Sequence, residues 1–355
     1  KNVLHVASDL DNAEGEGQIW FNTTSSDYKT IVKVAGSWAT GGTMNTARTS
    51  TGGAGIQTAA IIAAGSIPAG TDNVETYDGS SWTEVANVNT IRQYGLSGCG
   101  TTTAAIMVGG SNPSTPYLGI AEQWNGSAWS EVADLNLARQ TRFGIVGTST
   151  AALSFSGGNP GNQDVNESWD GSSWTELADL NTARRMVGSL GTVNTAAVCV
   201  GGYVSAADAS VEVWNGTSWT EVANINTARS NLNGTGVSTV GLVFGGEDSD
   251  DTGKTESYDA VSWTEEADFN TARQGMGSAG LKTLALAFGG TSPIDNATEE
   301  WDFTSTLAAG TWASGGDINT MRYAAAGFGL QTAAILSGGV PSPAGNTESY
   351  DGSSW

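Results

Sequence analysis

Two charged residue types recur at a fixed phase along this chain. An Arg ends the phrase Asn-x-x-Arg seven times, and a Glu stands two residues before an aromatic residue seven times. The arginines are Arg48, Arg92, Arg139, Arg184, Arg229, Arg273 and Arg322, and the glutamates are Glu75, Glu122, Glu167, Glu212, Glu256, Glu299 and Glu348. The guanidinium groups could capture an anion or an acidic partner, or each could fork onto a carboxylate or loop carbonyls and tie one structural unit to the next. We favour structural ties, because a residue placed identically in every unit serves the unit, whereas a ligand usually breaks symmetry.

Few other residues point to catalysis. The single His, His5, lies outside the recurring phrase, which leaves no His-rich copper or zinc site and no base for a Ser–His–Asp or Cys–His nucleophile. Paired carboxylates could hydrolyse a glycoside, but no local pattern among the 36 acidic residues identifies a pair. We therefore predict that the chain is not an enzyme and uses no cofactor.

Two sequence features are weaker candidates for binding. The most acidic segment, 247–253, contains Asp248, Asp250 and Asp251, whose carboxylates could hold calcium. It lacks the spaced pattern of a known calcium loop, so we favour a solvated acidic loop and expect no metal site. Tyr117 and Tyr203 are the aromatic residues in the variable segments of the repeats and could stack on sugars. The alternative is that they are two exposed tyrosines without a role.

A repeat of 43 to 49 residues must position these side chains. It is marked by Trp38, Trp82, Trp129, Trp174, Trp219, Trp263, Trp312 and Trp355. Each unit contains a Gly-spaced apolar run, a second apolar run ending in Gly-Gly, a Glu-x-aromatic strand and a strand that opens with Trp. Four antiparallel strands in about 45 residues are the size of a propeller blade. The pattern predicts an all-β fold, a seven-bladed β-propeller of four-stranded antiparallel blades.

Two short signals complete the predicted unit. Asn125-Gly126 predicts a tight hairpin with positive φ at both turn positions. The Asn of each Asn-x-x-Arg phrase is interpreted as a turn residue that bonds its own backbone.

The first 35 residues lie outside the repeats. The segments 17–21 and 28–34 look like two strands with a loop, so we predict an N-terminal arm over 1–35 and a propeller over 36–355. The arm could dock the propeller onto a larger assembly. We expect residues near 34–40 to supply the outer strand that the last repeat lacks, since an unclosed ring leaves an open sheet edge.

The charge balance restricts the partners. With 14 basic and 36 acidic residues the net charge is −22, which disfavours nucleic acid and anionic lipid. No run of 18 apolar residues is present in the sequence, so we expect no membrane insertion.

The marks resemble the kelch repeat: a double Gly, then an aromatic residue, then a Trp about five residues later. The double glycines stand at 109–110, 157–158, 201–202, 245–246, 289–290 and 338–339, with Ala64-Gly65 as a degenerate copy. The resemblance covers about nine tenths of the chain. It implies a propeller fold and says little about function, because kelch propellers serve as enzymes, adaptors and adhesins.

A narrower resemblance concerns function. Asn-Thr-Ala-Arg followed by Gly-x-x-Gly-x-x-Thr-Ala-Ala is similar to kelch-type repeats in virion proteins of marine bacteriophages, cyanophages especially, and residues 17–28 look like a hairpin module of phage tail fibres. It implies a non-enzymatic structural protein on the virion surface, in a tail fibre or capsid, that binds a host-surface glycan or protein and contacts other virion proteins through its arm. The alternatives are a secreted or cell-surface bacterial adhesion module and a carbohydrate-active enzyme.

Overall fold

A computed structural model describes residues 4–6, 19–22, 27–32, 36–67, 69–140, 144–291, 295–303, 306–309, 326–330, 333–337 and 347–350. The chain divides into two compact units, Val34–Thr304 and a smaller one formed by Lys1–Lys33 with Ser305–Trp355. Nowhere in the described ranges is there a helix long and apolar enough to cross a membrane.

All assigned elements in these ranges are β-strands. In chain order they are β1 (Leu4–Val6), β2 (Ile19–Asn22), β3 (Asp27–Val32), β4 (Ser37–Thr40), β5 (Gly52–Ile56), β6 (Ala59–Ser66), β7 (Gly70–Tyr77), β8 (Trp82–Val85), β9 (Leu96–Thr101), β10 (Ala104–Gly109), β11 (Ala121–Trp124), β12 (Trp129–Val132), β13 (Gly144–Thr148), β14 (Ala151–Phe155), β15 (Asn166–Trp169), β16 (Trp174–Glu176), β17 (Gly188–Val193), β18 (Ala196–Tyr203), β19 (Ala207–Trp214), β20 (Trp219–Val222), β21 (Asn233–Val237), β22 (Val240–Phe244), β23 (Thr255–Tyr258), β24 (Trp263–Glu265), β25 (Gly277–Gly280), β26 (Leu284–Phe288), β27 (Thr298–Asp302), β28 (Thr306–Ala309), β29 (Ala326–Leu330), β30 (Ala333–Ser337) and β31 (Thr347–Tyr350).

The larger unit is a β-propeller of four-stranded antiparallel blades, the architecture that the kelch resemblance implies. Blades 1 to 5 are the successive groups β5–β8, β9–β12, β13–β16, β17–β20 and β21–β24, and blade 6 has the order β25-β26-β27-β4. The innermost strands contact one another in the closed cycle β5, β9, β13, β17, β21, β25 and back to β5. In the smaller unit β1, β2, β3 and β28 form one sheet and β29, β30 and β31 form another.

The prediction of seven blades is wrong, because the described part of the ring has six. The strand β4 supplies the outer strand of blade 6, where Trp38 lies opposite Trp301, rather than that of the last repeat. Trp124 and Trp129 are paired in the same way within blade 2. An N-terminal strand therefore replaces the fourth strand that the sixth repeat lacks, and the ring closes before the seventh repeat.

Each hydrophobic cluster of the propeller joins two neighbouring blades. One cluster contains Ile106 and Val108 of blade 2 together with Ile145 and Trp169 of blade 3. The other clusters also draw residues from adjacent blades. A blade thus buries its apolar side chains only when a neighbour packs on it, which is why these repeats fold as a ring.

The double-glycine mark is a pair of left-handed residues at the end of each second strand. Gly289 and Gly290 have φ of 67° and 115°, and the N–H of Gly290 donates to the carbonyl of Arg48 in the next crossover at 3.0 Å. In blade 3 the equivalent pair is Ser156-Gly157, with φ of 65° and 114°, rather than the Gly157-Gly158 that the sequence suggested. The conformation and its hydrogen bond define the position, and Ser occupies it at a steric cost.

The hairpin between the third and fourth strands is present, but the predicted turn type is wrong. Trp124 pairs with Trp129, so four residues form the loop, and only Gly126 has positive φ. The side chain of Asn125 accepts hydrogen bonds from the N–H groups of Ser127 and Ala128 at 3.0 and 2.9 Å. The side chain thus stabilises this loop as an Asx turn, and Asn125 itself needs no left-handed conformation.

Antiparallel pairing gives the disc two faces. The crossover face carries the Asn-x-x-Arg crossovers between blades and the loops between second and third strands. The hairpin face carries the turns between first and second strands and those between third and fourth strands.

Candidate functional site

Each crossover Arg in the ring lies between two blades. The N–H of Arg92 donates to the carbonyl of Thr71 at 3.3 Å, and its carbonyl accepts from the N–H of Gly65 at 3.1 Å, both in blade 1. Its guanidinium group donates to Glu122 and to the carbonyl of Ile120 at 3.3 Å, both in blade 2. The backbone of the crossover is thus held by the preceding blade and the side chain by the following one.

The same ion pair recurs in all six blades of the described ring. The pairs are Arg48–Glu75, Arg92–Glu122, Arg139–Glu167, Arg184–Glu212, Arg229–Glu256 and Arg273–Glu299, the last four with N–O distances of 2.6, 2.7, 2.9 and 3.1 Å. None of these twelve side chains is more than 4% exposed. In repeat seven, Arg322 lies outside the described residues, and Glu348 lies in β31 with its side chain outside the description.

The recurring Asn completes each tie. The N–H and the side-chain amide of Asn89 donate to Glu122 at 2.7 and 2.9 Å, and the amide also reaches the carbonyl of Trp129 at 3.3 Å. The side chain therefore bonds the following blade. The interpretation from the sequence, that this Asn bonds its own backbone, is wrong. One carboxylate holds both ends of the crossover.

Burial dominates the electrostatics of five of these six arginines, and in Arg184 it is outweighed by neighbouring groups that raise the pKa. It lowers the pKa of Arg48, Arg92, Arg139, Arg229 and Arg273, and the negative charge of the partner Glu opposes that effect. A guanidinium group that is buried and bonded to the following blade is not accessible to an anion from solvent. The geometry therefore serves to hold blades together, and these six cations do not contribute to the outer surface.

A narrow cavity of about 160 Å³ runs along the axis of the ring between the innermost strands. Its lining is mostly Gly, Ser, Thr and Ala backbone and side chains, with Cys99 and Asn233 among them. Burial raises the pKa of the Cys99 thiol to about 12, so this thiol stays protonated at neutral pH and is a poor nucleophile.

The two tyrosines singled out from the sequence lie on the crossover face, Tyr117 in a loop and Tyr203 in a strand. Tyr117 is half-buried in the long loop of blade 2. Tyr203 is half-buried at the end of β18, with the guanidinium carbon of Arg185 at 4.8 Å from its ring centroid. One face of the Tyr203 ring is thus occupied by a cation, so Tyr117 is the better candidate of the two for contact with a ligand.

Sequence reasoning missed a third aromatic residue, Tyr94, which is 46% exposed on the crossover face. Between the crossover Arg and the left-handed residue that opens the innermost strand, blade 2 has two residues, Gln93 and Tyr94, whereas blade 1 has only one. The extra residue is visible in the sequence, since Gly100 stands eight residues after Arg92 and Gly147 eight after Arg139, whereas the equivalent glycines of the other four blades stand seven after their Arg. Because four blades fold without this residue, the exposed side chain of Tyr94 is not required by the blade.

Two further observations place Tyr94 in a larger patch. Ile91 is 48% exposed in the same crossover, where the other five crossovers of the ring carry Ala. The carbonyl of Tyr94 is beside Gly110. The N–H of Leu118, the residue after Tyr117, donates to the carbonyl of Gly110 at 2.9 Å. We call Ile91, Tyr94 and Tyr117 the aromatic edge.

The acidic loop of blade 5 is held by its own hydrogen bonds. Asp248 accepts from the N–H of Ser249 at 2.6 Å, which lowers its pKa, and the amide of Gln274 donates to Glu247 and Asp251 at 2.7 and 2.8 Å. Asp250 is exposed. Within the described ranges no group of three or more His, Cys, Asp or Glu side chains could hold a metal ion.

No protein-family model matches the chain, and no curated protein sequence matches it.

Proposed function

We propose that this chain is a non-enzymatic structural protein of a phage virion that binds a host-surface glycan or protein through the aromatic edge. The observation that carries the proposal is Tyr94, a residue at a position that four of the six blades lack, with an aromatic side chain that is half exposed. Binding residues tend to stand on loops that a rigid framework positions.

The chemistry of the aromatic edge suits a sugar or an apolar side chain. Tyrosine offers a flat apolar ring with a hydroxyl group at its tip, and Ile91 adds exposed apolar surface in the same crossover. Because six inter-blade ion pairs fix the crossovers, Tyr94 and Ile91 are presented by a backbone that loses little freedom when a ligand binds.

The role as a binding protein rather than an enzyme is supported by the use of the buried charged groups. The six Arg–Glu pairs hold crossovers, and the Cys99 thiol, with a pKa of about 12, is protonated. The assignment to a virion rests on the sequence resemblance of the Asn-Thr-Ala-Arg phrase and of residues 17–28 to marine phage virion proteins.

A glycan array with the purified chain tests the binding role. The matched variants are deletion of Tyr94, which restores the length of blade 1, and Ile91→Ala, which installs the residue of the other crossovers. We expect the wild type to bind a defined set of glycans and both variants to lose at least about tenfold in affinity, since one loses a stacking ring and the other an apolar contact. Equal binding by all three proteins would remove the aromatic edge from the proposal.

Mass spectrometry of purified particles tests the virion assignment. Peptides of this chain are expected in particles of the phage that encodes it. A complete set of structural proteins without this chain would contradict the assignment, while leaving the array result to decide the binding role.

A further inference from the structure

The turns that close the first hairpin of each blade lie on the hairpin face and differ between blades. In blades 2 and 3 the turn begins with Thr101 and Thr148, whose hydroxyl groups accept from the N–H of Ala104 and Ala151 at 3.1 Å each. In blades 4, 5, 6 and 1 the same position carries an apolar residue, and in blades 5 and 6 the residue at the other end of the turn is apolar too.

These apolar residues form what we call the apolar arc. Its members are Val193 of blade 4, Val237 and Val240 of blade 5, Leu281 and Leu284 of blade 6, and Ile56 of blade 1, and each is between 36 and 53% exposed. The four blades are consecutive around the ring, because β17 contacts β21, β21 contacts β25, and β25 contacts β5. The arc therefore extends over four of the six blades, and the two Thr turns occupy the two adjacent blades that remain.

The blade itself does not require this surface. Thr fits the turn and supplies a hydrogen bond there, whereas Val or Leu at the same site gives up that bond and exposes hydrocarbon to water. Single exposed apolar residues are ordinary on protein surfaces. Here four adjacent blades carry an exposed apolar residue at the turn position where two blades keep Thr, which indicates a contact with another molecule.

The charges beside the arc restrict what can cover it. The exposed carboxylates of Asp259, Asp302 and Asp78 stand at the hairpin-face ends of the third strands of blades 5, 6 and 1. Backbone hydrogen bonds lower the pKa of Asp259, and those in the turn of Asp78 lower its pKa to about 2, so both are ionised at neutral pH. Lys282, in the turn of blade 6, is the one Lys or Arg among the described residues of these turns, and its Nζ is 5.8 Å from the ring centroid of Phe303.

A second copy of the chain is a poor occupant. Each copy carries a net charge of −22, and six of its cations are buried in the blade ties, so two such faces would repel each other. We propose that the apolar arc docks a partner protein whose contact segment has apolar side chains flanked by Lys or Arg. This surface is independent of the aromatic edge on the opposite face.

A binding titration with a labelled synthetic peptide of alternating Leu and Lys tests the proposal. Peptides of alternating Ser and Lys, and of Leu and Glu, control for charge alone and for apolar character alone. The key variant, Ile56→Thr/Val237→Thr/Leu281→Thr, uses the residue that blades 2 and 3 already carry. We expect the Leu–Lys peptide to bind the wild type best and the triple variant at least about tenfold more weakly, since three apolar side chains are removed.

Charge is tested by Asp78→Asn/Asp259→Asn, because blades 2 and 4 carry Asn125 and Asn215 at that position. We expect severalfold weaker binding that is less sensitive to salt.

Equal affinity of the triple variant and the wild type would overturn the proposal. So would wild-type self-association in sedimentation velocity that the triple variant abolishes, since the occupant would then be a second copy. Deletion of Tyr94 should leave peptide binding unchanged, which separates this result from the glycan experiment.

Discussion

Trp38 lies directly opposite Trp301, with ring centroids 5.4 Å apart, although 263 residues separate them in the chain. The neighbouring pairs Trp124–Trp129 and Trp169–Trp174 have centroids 5.3 Å apart and arise within single hairpins. The ring is thus closed by the same aromatic contact that each other blade makes locally. Trp38 also stacks on Phe269 at 4.1 Å, so the closing strand is tied into the core between blades 5 and 6.

The register of this closure predicts where a disulfide can form. Ser37 is the partner of Asp302, so Ser37→Cys/Asp302→Cys should oxidise readily and raise the free energy of unfolding by about 4 kcal/mol, because the bond closes a very long loop. Chemical denaturation with and without reductant measures the gain. The matched control is Ser37→Cys/Asp351→Cys, which places the second Cys at the equivalent position of repeat seven. Efficient oxidation of the control instead would support a seventh blade.

Removing the carboxylate of one blade tie should be strongly destabilising. Glu122→Gln leaves the Arg92 guanidinium buried without a countercharge, so we expect a loss of about 3 kcal/mol in the free energy of unfolding. The control is Glu131→Gln, since Glu131 is the exposed strand partner of Glu122 and should change stability by less than about 0.5 kcal/mol. Urea denaturation compares them, and equal effects would show that the ion pair is not a tie.

The left-handed pair at the end of the second strand predicts opposite effects of two substitutions. Gly289→Ala places a Cβ 2.5 Å from the carbonyl oxygen of Arg48 at a φ of 67°, and should cost at least about 2 kcal/mol. Ser156→Gly relieves the same conformation and removes a buried hydroxyl that lacks a hydrogen-bond partner, and should stabilise by up to about 1 kcal/mol. Thermal unfolding of both variants measures the contrast. Destabilisation by Ser156→Gly would contradict the assigned register of blade 3.

Acid should weaken the turns between the third and fourth strands of blades 1 and 3. Hydrogen bonds from backbone N–H and Ser hydroxyl groups lower the pKa of Asp78 and of Asp170 to about 2, below the ordinary value of 3.8. Because the folded pKa is the lower one, the stabilisation is complete above pH of about 4 and is lost as pH falls towards 2. Asp78→Asn/Asp170→Asn keeps the acceptor, as Asn125 does in blade 2, and should flatten stability between these pH values. NMR titration of the two carboxyl groups checks the pKa values directly, and ordinary values near 3.8 would contradict the prediction.

The repeat unit was predictable because its signals are local. The apolar runs, the Asn-Gly turn signal and the Trp that opens the fourth strand all act within a few residues of one another, and four-stranded propeller blades are confirmed. The type of turn was not predictable, because Asn125 stabilises the loop through its side chain and not through its own backbone conformation. Tyr94 was missed although its signal, one extra residue after Arg92, is present in the sequence.

The sequence by itself determined the blade, since the hydrogen-bond ladder and turns of each of blades 1 to 5 are specified by residues about 45 positions apart or less. Only the tertiary structure decided the number of blades. The period of the repeat is the same whether a ring holds six or seven units, and the choice depends on which open edge β4 fills. That edge is β27, a pairing of distant residues that no local pattern encodes.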